Sequence, residues 1–267
     1  MKGRRQAVFN RSISMTGWYL FKHAVSMLVR NWQMVIRIFL LPTVLVGVIL
    51  GVLAQQTGVL ALLSPGAASE VTPGGGLVGS LLLTAIVVML ISMWPIVAWH
   101  RYVLEEEQNP GFLPPLHLDR ILAYAFQGIL IGLLVLLAMI PVLIVIAVLA
   151  SVLGGNFVHV LPILEPGLAL LPAWVFLRLS ITLPNVALGK TRLSITDAWK
   201  ATSDAFGPVF GLVLITVVMQ FAIEQSLLLL TGPVVVVWWA LTSVVFGLIQ
   251  VSILTTLYGH YVEKRPI

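Results

Sequence analysis

Glu224 and Gln220 stand four residues apart inside an apolar stretch, so on a helix they share one face. Gln225 and Ser226 widen that polar patch, and Thr242, Ser243 and Gln250 offer partners from the stretch that follows. A charge in the middle of a bilayer costs at least about 2.5 kcal/mol. Two chemistries therefore fit: a proton or cation site on a transport route, or a seam of hydrogen bonds that glues helices together. Glu224 precedes the turn Thr231-Gly232-Pro233 by only a few residues. That shallow position favours the seam.

Arg178 also falls inside an apolar stretch, near its end. One reading is a topology anchor whose long stem lets the guanidinium snorkel to the interface. The other is a contact to a lipid phosphate or a partner carboxylate, for which Arg101, Trp99 and Trp174 are further candidates. Glu165 lies between Pro162 and Pro166, a pattern that predicts an irregular helix start with an interfacial carboxylate. Glu105, Glu106 and Glu107 form an acidic run, read as a solvated loop, beside Asn109, Pro110 and Gly111.

Enzyme signatures are missing. His23, His100, His117, His159 and His260 are scattered, and Cys is absent. No His-Glu-x-x-His, Gly-x-Ser-x-Gly or phosphate-cradling Gly loop ending in Lys-Ser/Thr occurs. We expect no catalytic residue, no metal and no cofactor, and hence no enzyme. Gly74, Gly75 and Gly76 read as a flexible loop.

The elements that must position these residues are apolar. Hydrophobic residues make up 59% and charged residues 9% of the chain, and the mean hydropathy is +1.05, far from a soluble domain. Six spans of about 20 residues or more can be cut: 34–54, 77–99, 121–153, 161–183, 208–230 and 234–258. The fold expected is all-α and polytopic, a single integral membrane domain over 1–267. Two amphipathic segments flank the spans. In 14–32, Trp18, Phe21, Val25, Leu28 and Trp32 recur at helical spacing. In 194–206, Ser194 and Asp197 make a capping box ahead of Ile195, Ala198, Trp199, Thr202 and Phe206. Each segment could lie on lipid or pack against the bundle. Gly47 with Gly51, and Gly128 with Gly132, have the spacing that lets helices approach closely.

The fifteen Lys and Arg residues fall in alternate segments: preceding or opening the first span, between the second and third, at or after the end of the fourth, and after the sixth. The segments 55–76, 154–160 and 231–233 carry none. The positive-inside rule then puts both termini in the cytoplasm. A cleaved signal peptide is not expected, because the first apolar run follows a long basic, aromatic-rich stretch. Basic residues flank spans instead of forming a groove, which argues against nucleic acid as a partner.

The ends of the even spans look alike. Pro95, Trp99 and Arg101 share their spacing with Pro172, Phe176 and Arg178, while Tyr258, His260, Tyr261 and Val262 align with Trp99, Arg101, Tyr102 and Val103. Three helical hairpins follow from that repeat. The layout resembles a broad group of poorly characterised bacterial six-helix inner-membrane proteins. It is also similar to the membrane domain fused ahead of some glycerophosphodiester phosphodiesterases. The resemblance implies the bacterial inner membrane and an envelope role, and it supplies no functional residue. The function expected is structural, in assembly or in envelope maintenance, through contact with membrane lipids, another membrane protein or a second copy. The alternative is a transporter or channel for a small or lipid-like solute.

Overall fold

The computed structural model describes residues 17–56, 77–108, 111, 113–191 and 193–267, and among them every regular element is a helix. In chain order these are α1 (Gly17–Arg30), α2 (Trp32–Gln56), α3 (Leu77–Glu105), α4 (Leu118–Leu153), α5 (Phe157–Leu179), α6 (Thr182–Leu188), α7 (Ile195–Ala201), α8 (Phe206–Leu227) and α9 (Pro233–Leu257). A π-helical turn, Tyr258–Val262, ends α9. Five described runs are long and apolar enough to cross a membrane, as in a multi-pass membrane protein. The third of these, Leu118–Leu188, contains both α4 and α5. A short 3-10 turn, Gly154–Asn156, separates the two, and Gly154 takes a positive φ of 53° that a side chain would resist. The two helices then pack against each other.

Prolines 42, 95, 141, 162, 166 and 172 all lie inside helices. The irregular start expected around Glu165 is therefore replaced by continuous helix from Phe157. Local adjustments satisfy the carbonyls that a proline frees in an apolar helix.

α1 is the element that the spacing of large residues describes least well. Its buried stripe is Gly17, Leu20, Ala24 and Met27, whereas Trp18 and Trp32 are exposed. α1 packs against α8 and α9, and Phe21, Val25 and Leu28 flank the contact. The cause is backbone proximity. A Cβ placed on Gly17 would lie 2.4 Å from the Leu212 nitrogen and 2.5 Å from the Gly211 carbonyl carbon. Only small residues fit where two helix backbones meet so closely, so the tryptophans turn outward. By contrast, a Cβ at Gly47, Gly51, Gly128 or Gly132 would meet nothing within 4 Å. The close helix contact expected at those pairs is made by Gly17 and Gly211 instead. Asn31 ends α1: its side-chain amide donates to the Met27 carbonyl at 2.8 Å and its Oδ1 accepts from Tyr102 of α3 at 3.0 Å.

The segment 194–206 also packs on the bundle. The Ser194 hydroxyl accepts from the Asp197 N–H at 3.1 Å, as the capping box predicts. Helix α7 ends at Ala201, a 3-10 turn (Ser203–Ala205) follows, and Ala198, Thr202 and Ala205 are buried. Helix α6 carries no amphipathic signature. It is buried at Thr182, Leu183, Pro184, Asn185, Ala187 and Leu188, and it packs against α3 and α4.

Gly17→Val should disrupt the seating of α1 on α8 and cost about 1–3 kcal/mol, the scale of overpacking. Gly128→Ala should be neutral or mildly stabilising, since its methyl meets open space and alanine favours helix. Thermal unfolding of the detergent-purified variants, with size-exclusion profiles, measures both. Equal unfolding temperatures for Gly17→Val and wild type would rule out the close approach.

Candidate functional site

Polar side chains gather at the end of the bundle where α3, α4, α6 and α9 meet. His100 of α3 is fully buried. Its Nδ1 lies 2.9 Å from Thr255 Oγ1 and its Nε2 3.2 Å from the Tyr124 hydroxyl. The Thr255 hydroxyl donates to the Val251 carbonyl at 2.9 Å, so it accepts from Nδ1–H, and Nε2 accepts from Tyr124. Asn185 of α6 accepts from Tyr258 at 3.0 Å and donates to the Thr191 carbonyl at 3.0 Å. Gln127 of α4 donates to Thr182 of α6 at 3.0 Å. These bonds join residues from four helices, and each satisfies a group that would be costly unpaired in an apolar interior.

Arg101 anchors the rim of this layer. It pairs with Glu105 at 3.2 Å and with Glu107 at closer range, and it donates to the Ala187 carbonyl at 3.3 Å. Glu107 also meets His117 Nε2 at 2.9 Å. Two members of the acidic run are thus engaged by Arg101, and the run is not a free solvated loop. Burial alone would raise the Glu107 carboxyl, but hydrogen bonds from His117 and Arg101, with the Arg101 charge, hold it below the ordinary value of 4.5. Trp94 pins the same segment by donating to the Pro114 and Pro115 carbonyls, both at 3.2 Å.

Arg178 does not snorkel: only 5% of it is exposed. Its Nε donates to Thr202 Oγ1 at 2.8 Å and a terminal nitrogen donates to the Trp199 carbonyl. The guanidinium lies 3.7 Å from the centre of the Trp199 ring and 5.0 Å from that of Trp174. Two aromatic faces and two oxygen acceptors surround it, an arrangement suited to a weakly hydrated planar cation. Trp99 is fully buried, with the Phe39 and Tyr102 rings tilted against it at centroid distances of 6.2 and 5.8 Å. Although Arg101 and Arg178 occupy matching positions in the sequence repeat, the first is held by carboxylates and the second by rings.

The polar seam lies on the other part of α8. Gln220 donates to Glu224 at 2.7 Å. Both residues, with Gln250 of α9 and Thr216, line a cavity of about 230 Å³ that Glu165 of α5 also lines. On its far side Gln220 and Glu224 border a second cavity of about 250 Å³, with Trp239, Thr242 and Ser243. Ser226 accepts from Trp238 Nε1 at 2.7 Å across the α8–α9 turn, while Gln225 supplies a carbonyl to the Leu228 N–H at the end of α8. Glu165, distant from Glu224 in sequence, lines the same cavity, a proximity that helical spacing could not supply.

A third cavity, of about 410 Å³, opens between α4 and α6, with Arg120 and Lys190 at its mouth. No local motif marks it, since its two sides come from segments with unrelated patterns. Among the described residues no group of three or more His, Asp or Glu could hold a metal ion. Comparison of the chain with known protein families, characterised proteins and solved structures yields no match.

The Glu107 pairings make stability depend on pH. The folded carboxyl binds its proton more weakly than the unfolded one, so its contribution is complete above about pH 4.5 and fades as pH falls through the lower folded value. Glu107→Gln should be less stable than wild type at pH 6.5 by about 1 kcal/mol. Between pH 6.5 and 3.5 it should lose less of its thermal stability than wild type does. Parallel pH profiles for the two proteins would refute this role.

Proposed function

We propose that the chain is a six-span protein of the bacterial cytoplasmic membrane, non-enzymatic, with a structural, assembly or envelope-maintenance role exercised through contact with lipid or a membrane-protein partner. On this reading α2–α3, α4–α5 and α8–α9 are three hairpins, and both termini are cytoplasmic. The observation that carries it is the fate of the ionisable groups in the apolar bundle. Arg101, His100 and Arg178 are each bonded to neighbouring helices or to the segments that follow them. Groups so engaged fix geometry and leave the outer surface as the working part. That surface is apolar along α2, α4 and α9, at Leu40, Val48, Leu136, Ile144, Val237 and Leu241 among others. An extended apolar surface of this kind fits lipid or a side-by-side partner.

Transport is the second reading, and one observation favours it. The two cavities around Gln220 and Glu224 carry carboxylates from α5 and α8 and an amide from α9. Convergent polar groups on several helices are what a solute or proton path requires.

Topology is tested by single cysteines, because the chain has none of its own. Ser203→Cys should react with a membrane-impermeant thiol reagent only after the cytoplasmic side is opened, and Gly74→Cys should react from outside. Labelling of Ser203→Cys in intact cells would sink the six-span arrangement.

Deletion of the gene followed by complementation separates the two functional readings. Glu224→Gln keeps a group able to hydrogen-bond, so under a structural role it should restore envelope integrity to within about twofold of wild type. A stably inserted Glu224→Gln protein that restores nothing would promote transport.

A further inference from the structure

The cavity between α4 and α6 is graded from charged to apolar. Arg120, Ala123, Gln127 and Leu130 lie along one face of α4, with Arg120 at the basic end and Leu130 ten residues further into the apolar part. At 1.5 Å per residue that face spans about 15 Å, roughly half of a hydrocarbon core. Val186, Gly189 and Lys190 line the opposite side. Phe126, 73% exposed, also lines the cavity, which continues onto the outer surface of the bundle.

The mouth holds two cations whose partners leave donors free. Arg120 Nε pairs with Asp119 at 2.9 Å, but Asp119 is mostly exposed. The rest of the guanidinium lies over Gly189, where a Cβ would come within 2.6 Å of NH1 and 2.9 Å of NH2. Gly189 also takes a φ of +67°, so the backbone there both favours glycine and leaves room for the guanidinium. Lys190 pairs with Glu263, a carboxylate that Arg265 shares at 2.6 Å. Asn185, by contrast, has both ends of its amide engaged and serves as wall.

We propose that this cavity binds an anionic phospholipid. Its phosphate sits between Arg120 and Lys190, and an acyl chain lies along Ala123, Phe126 and Leu130. Two cations on the wall of one cavity suit a phosphate, and a basic pocket between helices at the cytoplasmic side is where anionic headgroups are recognised. The apolar depth of the cavity selects a membrane lipid over a free phosphate. The proposal rests on the lipid-contact reading above and assigns it a place.

The test uses the full chain in detergent, with native mass spectrometry during titration with phosphatidylglycerol, with phosphatidylcholine, and with inorganic phosphate. Wild type should retain phosphatidylglycerol at least tenfold better than phosphatidylcholine. Arg120→Gln/Lys190→Gln should abolish that preference, and the control Lys22→Gln, an exposed residue on α1, should keep it. Leu130→Trp, which fills the apolar end without changing charge, should weaken phosphatidylglycerol binding several-fold. Size-exclusion profiles and unfolding temperatures confirm that each variant is folded. Equal phosphatidylglycerol retention by wild type and the double variant would overturn the site while leaving lipid contact elsewhere. Failure of wild type to prefer phosphatidylglycerol would overturn both the site and an anionic-lipid role. Inorganic phosphate bound as tightly as the lipid and unaffected by Leu130→Trp would replace the lipid with a soluble anion.

Discussion

A polar group enclosed in an apolar bundle is costly without a hydrogen-bond partner, and at the basic end of this molecule His100, Tyr124, Asn185 and Tyr258 find theirs on neighbouring elements. Asn185, the one amide of the short buried helix α6, accepts from Tyr258 and donates to Thr191. The neighbouring bonds, Gln127 to Thr182 and His100 to Thr255 and Tyr124, complete a layer that joins α3, α4, α6 and α9. Because each bond in it is made between different elements, the layer fixes helix register in a way that apolar contact, which has no direction, does not.

The seat of α1 adds a steric constraint to this electrostatic one. With Gly17 and Gly211 at backbone contact, α1 is drawn in against α8 and α9. Asn31 then redirects the chain into α2 while its side chain takes a bond from Tyr102 of α3. The beginning of the described chain is thereby tied to α3, α8 and α9. At the other end, Arg265 donates to the Leu104 carbonyl and Glu263 pairs with Lys190, which ties the last residues to α3 and to the end of α6.

The two ends of the bundle differ in what their polar groups are free to do. At the basic end Arg101 and Arg178 are held by their own surroundings, while the mouth between α4 and α6 presents Arg120 and Lys190 to a cavity. In the seam, Gln220 and Glu224 bond to each other but border open volume on both sides. A contact role draws on the first feature and a transport role on the second. The first feature is built on α4 and α6 and the second on α5, α8 and α9, and α4 packed against α5 joins the two.

Sequence alone determined the apolar helical class, the presence of stretches long enough to cross a membrane and the Ser194–Asp197 cap, because these follow from composition, periodicity and neighbours a few residues apart. It located Gln220 and Glu224 as a pair, since one helical turn separates them. Which face of α1 is buried was decided by the backbone of α8, because only the smallness of Gly17 lets the helices meet, and smallness carries no periodic signal. Glu165 joins Glu224, and Arg120 comes to lie on Gly189, only once α5 packs on α8 and α6 on α4. The aromatic cage of Arg178 likewise needs α7 folded back on α5. Such pairings join residues tens of positions apart whose types are individually ordinary. Their proximity is a property of helix packing, which the local pattern of the chain does not encode.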